Sequence, residues 1–181
     1  HVDTKDTDEK QIAMMMVGRE VILEVQKGEY RPGQVVLDLK HVSCLDKTGL
    51  PAVKNVSFQI HRGEVVGIAG VQGNGQSELA DAVSGLLPLT NGEVILNGKK
   101  IGGRNAPLMC RENGMGHIHD DRMNVGTAGD MSIRDNFLAT IYREPELNKG
   151  FFLDYKKADP LIEESIREYN VKIGKITDEI S

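Results

Sequence analysis

The sequence contains no tryptophan, and aromatic residues make up only 4% of its 181 residues. A core must therefore be filled by Val, Ile, Leu, Ala and Met, as is common in α/β proteins. Cysteine is also scarce. Cys44 and Cys110 are far apart and in no metal-ligand spacing, so we expect free thiols in a reducing cytosol rather than a disulfide framework.

Two further features are missing from the sequence: a signal peptide and an apolar run near the length needed to cross a bilayer. We therefore expect any membrane role to come through a partner. The net charge of −5 argues against a broad nucleic-acid surface, although it leaves room for a local basic patch.

One stretch has nearly the complete form of a phosphate-binding loop. Such loops need glycine where the chain curls too tightly for a Cβ, so that backbone amides converge on a phosphate. The preceding residues 64–69 predict a short buried strand, and the apolar spacing after the loop predicts a helix that stops near Gly85 and Pro88. The positive end of that helix favours an anion. The predicted cofactor-binding residues are Gly70, Val71, Gln72, Gly73, Asn74, Gly75, Gln76, Ser77 and Glu78.

The loop departs from the pattern at one position, where Gln76 replaces the lysine. Ser77 remains, and its hydroxyl is a predicted Mg²⁺ ligand. A hydrogen bond to a charged group is worth about 1.5–3 kcal/mol and a neutral one about 1 kcal/mol. We therefore expect nucleotide binding to survive in weakened form and hydrolysis to suffer more, because charge on the transferring phosphoryl group is what needs stabilising.

The rest of the chain predicts a series of short elements. Residues 1–10 are polar and are typical of a tail or linker, a short helix follows and ends at Gly18, and a second linker places a domain boundary near Gln34. Two strands, 35–42 and 53–60, are predicted to pair antiparallel. Downstream we expect a strand over 92–96 and a hairpin at Asn97-Gly98 with its return over 99–101. One or two helical turns over 107–112 and a short strand over 114–118 are predicted next. A capping box from Ser132 to Asp135 predicts a further helix, and Asp159-Pro160 predicts the start of a last helix over 159–169.

The residues also allow other interpretations of these motifs. A dinucleotide-binding loop would need glycine or alanine where Glu78 stands. His117 and His119, followed by Asp120 and Asp121, have alternate spacing that suits a metal, but no third cluster supplies further ligands. A glycine loop that merely joins a strand to a helix is the structural alternative to a phosphate site.

Several segments together resemble an ABC transporter nucleotide-binding domain, and more narrowly the second of two such domains fused in the ATP-binding subunits of simple-sugar and nucleoside importers. The resemblance rests on residues 52–58, 62–70, the loop with Gln76-Ser77-Glu78-Leu79, Gly114-Met115-Gly116-His117-Ile118 running into Asp121-Arg122, and Gly150-Phe151-Phe152-Leu153-Asp154-Tyr155. Met16-Val17-Gly18-Arg19-Glu20 matches the run that links the two domains in that family.

The resemblance implies an α/β fold: a P-loop NTPase (RecA-like) core with an N-terminal antiparallel β subdomain and the start of the ABC α-helical subdomain, in an incomplete domain. Residues 1–33 would be the end of a preceding ATPase domain and the interdomain linker, and 34–181 the N-terminal part of the second nucleotide-binding domain. ATP and Mg²⁺ are the implied cofactors. The implied partners are a first ABC ATPase domain or a homodimer mate, transmembrane permease subunits and, indirectly, an extracellular solute-binding protein, with no nucleic acid, at the cytoplasmic face of the membrane.

The resemblance also assigns roles to a charged loop. Asp120 takes the place of the Q-loop glutamine and is an implied Mg²⁺ contact, while Asp121 and Arg122 are implied contacts to the membrane subunit. His119 departs from the proline usual at its position, and neither Leu45 nor Asp46 offers the aromatic ring that stacks on adenine in this family. The implied site is a degenerate one.

In that family the signature motif, the Walker B carboxylates, the switch histidine and the strand beside the loop strand all follow the position of Ser181. We therefore expect these residues alone not to hydrolyse ATP and to contribute one half-site, while the partner site hydrolyses. The alternative function is a non-enzymatic regulatory or interaction module on a P-loop fold that no longer binds nucleotide.

Overall fold

The computed structural model describes residues 7–18, 31–71, 73–150 and 152–180. The chain divides into two compact units. The first contains His1–Gln76 and Pro88–Gly103, and the second contains Ser77–Leu87 and Arg104–Ser181. Within the described ranges, no helix is both long enough and apolar enough to span a membrane.

The first unit is built on a four-stranded antiparallel sheet. Its strands are β1 (Val35–Leu45), β2 (Pro51–His61), β3 (Leu89–Leu96) and β4 (Lys99–Ile101), in the order β2-β1-β3-β4. The predicted antiparallel pairing of the first two strands is confirmed. A short helix, α1 (Glu9–Val17), precedes the sheet, and Gly18 at φ 73° ends it as predicted.

A bulge in β1 changes which residues face the core. Leu37 and Leu39 are buried, and burial then resumes at Val42 rather than at position 41. His41 takes a left-handed φ of 52°, and its backbone N–H donates to Ser57 Oγ at 2.8 Å. Since alternate residues of a strand face opposite sides, this one-residue shift keeps the second half of β1 on the core face.

The predicted hairpin at Asn97-Gly98 is confirmed. Both residues have positive φ, 49° and 76°, as a two-residue turn of this type requires. The returning strand β4 adds an ion pair, because Lys100 Nζ lies 2.8 Å from Glu93 Oε2. The hydrogen bond from Lys100 lowers the pKa of the Glu93 carboxyl.

The strand predicted over 64–69 is wrong. These residues have no regular structure, and the side chains of Val65 and Ile68 are 97% and 56% exposed. A strand persists only where its amides and carbonyls pair with a neighbour. In the part of the chain that the structure describes, no strand pairs with this segment.

The second unit is mainly helical. Helix α2 (Gln76–Val83) begins on the last residue of the first unit and is followed by α3 (Ala106–Glu112), α4 (Ile133–Ile141) and α5 (Tyr155–Glu168). A two-stranded ribbon of β5 (Asn148–Lys149) and β6 (Phe152–Leu153) precedes α5. The predicted stop of α2 is confirmed, since Gly85 has φ 77°. A Cβ on Gly85 would lie 2.7 Å from the Cβ of Ala106, so α3 packs closely there.

Helices α4 and α5 share a small apolar core of Leu138, Leu147, Ala158 and Ile162. Ser132 caps α4 as predicted: its Oγ accepts from the Asp135 N–H at 3.1 Å and donates to the Asp135 carboxylate at 2.6 Å. An ion pair also joins the helices, with Arg134 Nη2 2.7 Å from Asp159 Oδ2. The apolar core and the ion pair together hold α4 against α5.

Two predicted boundaries are corrected in this unit. Helix α5 begins at Tyr155, where Asp154 caps it, and Pro160 lies inside the helix; Asp159 is used in the ion pair rather than as a cap. The short strand predicted over 114–118 is absent. The N–H groups of Gly114 and Met115 instead donate to Arg111 and Cys110 carbonyls at 3.0 and 2.9 Å, closing α3.

The close approach of strand β3 to the bulge of β1 can be tested by substituting glycine. Gly92 and Gly98 both have positive φ, but only a Cβ on Gly92 would collide with backbone, namely the carbonyl oxygens of Lys40 and His41. We expect Gly98→Ala to lower the free energy of unfolding by about 1–2 kcal/mol through left-handed strain alone. Gly92→Ala should cost more than about 3 kcal/mol, because strain and a collision with backbone add. Urea unfolding of the full chain measures both, and equal losses would contradict the close approach of β3 to the bulge.

Candidate functional site

The glycine loop adopts a conformation that requires glycine. Gly73 and Gly75 have φ of 86° and 94°, in the left-handed region. Gly75 is buried, and a Cβ there would lie 2.5 Å from the carbonyl oxygen of Ala52 in β2. The N–H of Asn74 donates to the Val71 carbonyl at 3.2 Å and tightens the turn. Gln72, one of the predicted binding residues, lies outside the described residues.

The side chain that replaces lysine turns back on its own loop. Gln76 Nε2 donates to the Val71 carbonyl at 3.2 Å. The side chain also covers Gly70, because a Cβ at that position would collide with Gln76 Nε2. The neutral donor of this position is therefore already engaged by backbone, whereas a phosphate would have to compete for it.

In the second unit, the structure brings together Ser77 and Asp120, both predicted from the sequence. Ser77 lies in the first turn of α2 and donates through Oγ to Asp120 Oδ2 at 2.9 Å. This hydrogen bond is the main reason why the pKa of the Asp120 carboxyl is lowered. The exposed carboxylate of Asp120 is thus held ionised beside the start of the helix.

The chemistry of this pair suits Mg²⁺. A hydroxyl and a carboxylate are hard oxygen ligands, which Mg²⁺ prefers. Adjacent ligands of an octahedral Mg²⁺ with bonds of about 2.1 Å lie about 3.0 Å apart. The 2.9 Å separation of Ser77 Oγ and Asp120 Oδ2 matches that spacing. The two oxygens therefore fit neighbouring positions around one ion.

Two residues that the sequence did not assign to the site lie against this pair. His119 Nδ1 is 2.8 Å from Asp120 Oδ1, and His119 Nε2 is 3.6 Å from Oδ1 of Asp81 in α2. The sequence held a signal for Asp81, because residues four apart on a helix lie on one face and Ser77 is four residues earlier.

The charged residues after Asp120 shape the loop. The Asp121 carboxylate accepts from the backbone N–H of Asn124 at 3.1 Å and from its side-chain amide at 3.1 and 3.0 Å. The side-chain hydrogen bond, and then the backbone one, lowers the pKa of Asp121. Arg122 is exposed, and its carbonyl accepts from Thr127 Oγ1 at 3.1 Å. Asp121 thus fixes the turn, and a partner contact remains a prediction for both residues.

Glu78 is half-buried in the first turn of α2. The rings of His117 and His119 have their centroids 5.7 Å apart. Across the described ranges, no group of three His, Cys, Asp or Glu side chains is arranged to hold a metal ion. Asp46 uses its carboxylate to accept from Thr48 and from the Leu50 N–H within its own turn.

The family model and the related proteins that match this chain point to the same family. Residues 53–177 match the family model described as ABC transporter. The chain is 37% identical over 178 residues to the glucose import ATP-binding protein TsgD13 of Haloferax volcanii, covering 98% of this chain and 32% of that protein. It is 41% identical over 177 residues to the guanosine import ATP-binding protein NupO of Bacillus subtilis, covering 94% of this chain and 33% of that protein. The chain thus spans about a third of the length of these relatives.

A solved structure supports the fold. The chain superposes with a TM-score of 0.63 on an ATP-binding cassette whose dimer was captured after hydrolysis with ADP and Pi. The match covers 79% of this chain and 61% of that one at 19% identity. A likeness at this identity establishes the fold alone.

We expect the pKa of the Asp120 carboxyl to depend on its hydrogen bond from Ser77. Because the bond favours the ionised carboxylate, it is present above the lowered pKa of Asp120 and is lost as the pH falls through that value. Ser77→Ala is expected to raise the pKa of Asp120 toward its ordinary value, as an NMR titration of the carboxyl carbon would measure. Ser165→Ala, which removes a hydroxyl bonded to a carbonyl in α5, is the matched control and should leave Asp120 unchanged. An unchanged pKa in Ser77→Ala would contradict the bond.

Proposed function

The chain belongs to the ABC transporter family, and on that premise we propose that it supplies a degenerate ATP half-site to the ATP-binding subunit of an importer for nucleosides or simple sugars. Its α/β fold is that of ATP-binding cassettes, as predicted. Residues 1–33 would close a preceding ATPase domain and form the linker, and 34–181 would begin a second nucleotide-binding domain. Support for the solute class comes from relatives named for glucose and guanosine import.

The observation that carries the proposal is the pairing of Ser77 with Asp120. A hydroxyl in the first turn of a helix and an ionised carboxylate lie at hydrogen-bond distance, 2.9 Å apart, which is also the separation of neighbouring oxygen ligands around Mg²⁺. The two residues are 43 positions apart in the chain, so the fold and not local sequence brings them together. Ser77 and Asp120 are the residues that would hold the ion. When bound, Mg²⁺ neutralises charge on the phosphates of ATP.

The remaining loop residues would bind the phosphates through backbone. Gly73 and Gly75 provide the left-handed turns, and the buried position of Gly75 against Ala52 holds the loop in shape. Gln76 offers an amide in place of an ammonium group, and that amide is bonded to Val71. The proposed site therefore binds nucleotide weakly and stabilises little of the charge that develops during phosphoryl transfer.

Hydrolysis is proposed for the assembled importer and not for this half-site. The competent site would be supplied by a first ATPase domain of the same polypeptide or by a homodimer mate. Asp121 and Arg122 would contact a transmembrane permease subunit, which would place the protein at the cytoplasmic face of the membrane. An extracellular solute-binding protein would act indirectly, through the permease.

A second candidate function is favoured by one observation. Because Gln76 is bonded to the loop's own carbonyl, the fold is compatible with a regulatory or interaction module that no longer takes nucleotide. This alternative shares every structural feature of the loop, so a binding measurement has to separate the two.

Calorimetry of the full chain with Mg-ATP tests the proposed site. We expect the wild-type chain to show heat of binding and Gly75→Ala to lose it, because the added Cβ would collide with the Ala52 carbonyl and distort the loop. Gly102→Ala is the control, since a Cβ there has no atom within 4 Å and φ is not left-handed. No heat from the wild-type chain would overturn the proposal and favour the module without nucleotide.

Restoring the charge should strengthen binding. Gln76→Lys replaces a neutral donor by an ammonium group, a difference of about 0.5–2 kcal/mol, which is roughly two- to thirtyfold in the Kd for Mg-ATP. Gln59→Lys adds the same charge at an exposed position in β2 and is expected to leave the Kd unchanged. Equal effects of the two substitutions would mean that only net charge matters, and no effect of either would contradict a phosphate at residue 76.

A further inference from the structure

We propose that the Asn74-Gly75 pair of the glycine loop is a self-modification site, at which the Asn74 side-chain amide is converted to a carboxylate and nucleotide binding is thereby switched off. The modification depends on the chain alone, whereas its effect on binding rests on the proposed function. The sequence contains four Asn-Gly pairs, and the structure gives them different surroundings. They are Asn74-Gly75, Asn91-Gly92, Asn97-Gly98 and Asn113-Gly114.

The reaction at such a pair needs only water. The glycine backbone nitrogen attacks the side-chain Cγ of the asparagine, so that an N–C bond forms and a five-membered cyclic imide results. The proton of that nitrogen passes through solvent to the departing side-chain nitrogen, which leaves as ammonia. Water then opens the imide at either carbonyl and gives aspartate or isoaspartate. Glycine favours ring closure, because it has no side chain to obstruct the approach and its backbone reaches many conformations.

In the Asn113-Gly114 pair both reacting groups are engaged. Asn113 Nδ2 donates to the Met109 carbonyl at 2.7 Å, and the N–H of Gly114 donates to the Arg111 carbonyl at 3.0 Å. Both hydrogen bonds lie at the end of helix α3 and would have to break before the ring could close. This pair is therefore protected.

The two pairs in the sheet are restrained by their strands. Asn91 lies in β3 opposite Ser43 of β1, and its Nδ2 donates to the His41 carbonyl at 3.4 Å. Asn97 lies in the hairpin between β3 and β4, and its N–H donates to the Val36 carbonyl at 2.8 Å. Ring closure requires rotation about the asparagine backbone, which would disturb this strand pairing.

The Asn74-Gly75 pair lacks such restraints. The Asn74 side chain is exposed, and no described residue forms a hydrogen bond with its amide or accepts from the N–H of Gly75. The pair lies outside regular structure, just before helix α2 begins at Gln76. Gly75 packs against the Ala52 carbonyl, but this burial does not separate the reacting groups, because they are neighbours in the chain.

The products would damage the proposed phosphate site. A carboxylate at position 74 would stand between Gly73 and Gly75, the two residues in the left-handed region, and its negative charge would repel a phosphate. Isoaspartate also adds a methylene to the main chain, so the backbone amides of the loop would no longer converge on an anion. Conversely, a bound phosphate would hold the loop and slow ring closure.

The first measurement is the extent of modification at each Asn-Gly pair in the full chain, aged without nucleotide at mildly alkaline pH and analysed by peptide mapping with mass spectrometry. We expect Asn74 to be modified fastest and Asn113 slowest, because both reacting groups of the latter pair are held. The amide spectrum of the β1 to β4 sheet verifies that the aged chain is still folded.

Ageing in urea is the control for the effect of the fold. In the unfolded chain the hydrogen bonds and strand pairings are absent, so the four rates should converge. If another pair reacts as fast as Asn74 in the folded chain, the proposal is wrong. It is equally wrong if Asn74 leads by the same margin in urea, because the fold would then have no part in selecting this pair.

The second measurement follows Mg-ATP binding by the aged chain in a calorimeter. The fraction of chains that bind is expected to fall in step with the fraction modified at Asn74. Asn74→Gln, which closes a larger ring much less readily, should keep through ageing whatever binding it has at the start. Asn74→Asp introduces the charge directly and should weaken Mg-ATP binding roughly tenfold. Full binding by a chain modified at Asn74 would overturn the proposal.

Ageing in the presence of Mg-ATP links the modification to the occupied site. In a chain that binds, the nucleotide should slow the reaction at Asn74 and leave that at Asn97 unchanged. Equal rates at Asn74 with and without bound Mg-ATP would contradict the proposal. If the fresh wild-type chain binds no Mg-ATP, the proposed function and the switch both fail, while the order of the four rates still decides whether Asn74-Gly75 is the modification site.

Discussion

A single hydrogen bond, from Ser77 in helix α2 to Asp120, determines how the candidate site is built. It links the residue after the glycine loop to a segment 43 residues later that has no regular structure of its own. Next to that bond, His119 Nδ1 lies 2.8 Å from the other carboxylate oxygen, and Asp121 closes the following turn on Asn124. The remaining polar contacts of the segment therefore support one geometry, in which an ionised carboxylate stands beside a helix N-terminus.

Local signals predicted most of the fold correctly. The Asn97-Gly98 turn, the strands β1 and β2 and the end of α2 at Gly85 depend on residues close in sequence, so the pattern alone was sufficient. The strand predicted over 64–69 failed for a different reason, because an apolar run becomes a strand only beside another strand. Helix α5 begins earlier than the proline signal indicated, because Asp154 caps it, while Asp159 forms an ion pair with Arg134.

The candidate site was also predicted only in part from the sequence. Ser77 and the glycines belong to a contiguous motif, and Asp120 was found through a family resemblance, whereas the contacts of His119 with Asp81 and Asp120 were missed. Neither of these contacts carries a motif of its own. Asp81 is an ordinary polar residue of a helix, and a histidine beside two aspartates also suits a metal site. Only the packing of residues 119–120 along α2 distinguishes these possibilities.

The hydrogen bond between the Gln76 amide and the Val71 carbonyl makes the availability of this donor to an anion depend on the conformation of the Gln76 side chain. The Val71 carbonyl competes with an anion for the Gln76 amide. The amide can donate to an anion only in those molecules in which its bond to the carbonyl is broken. Apparent affinity then scales with that fraction. Glycine at position 70 contributes to the same equilibrium, because its missing Cβ leaves the space in which the closed rotamer lies. Under the proposed function, residues 70 and 76 together determine how often this donor is free for a phosphate.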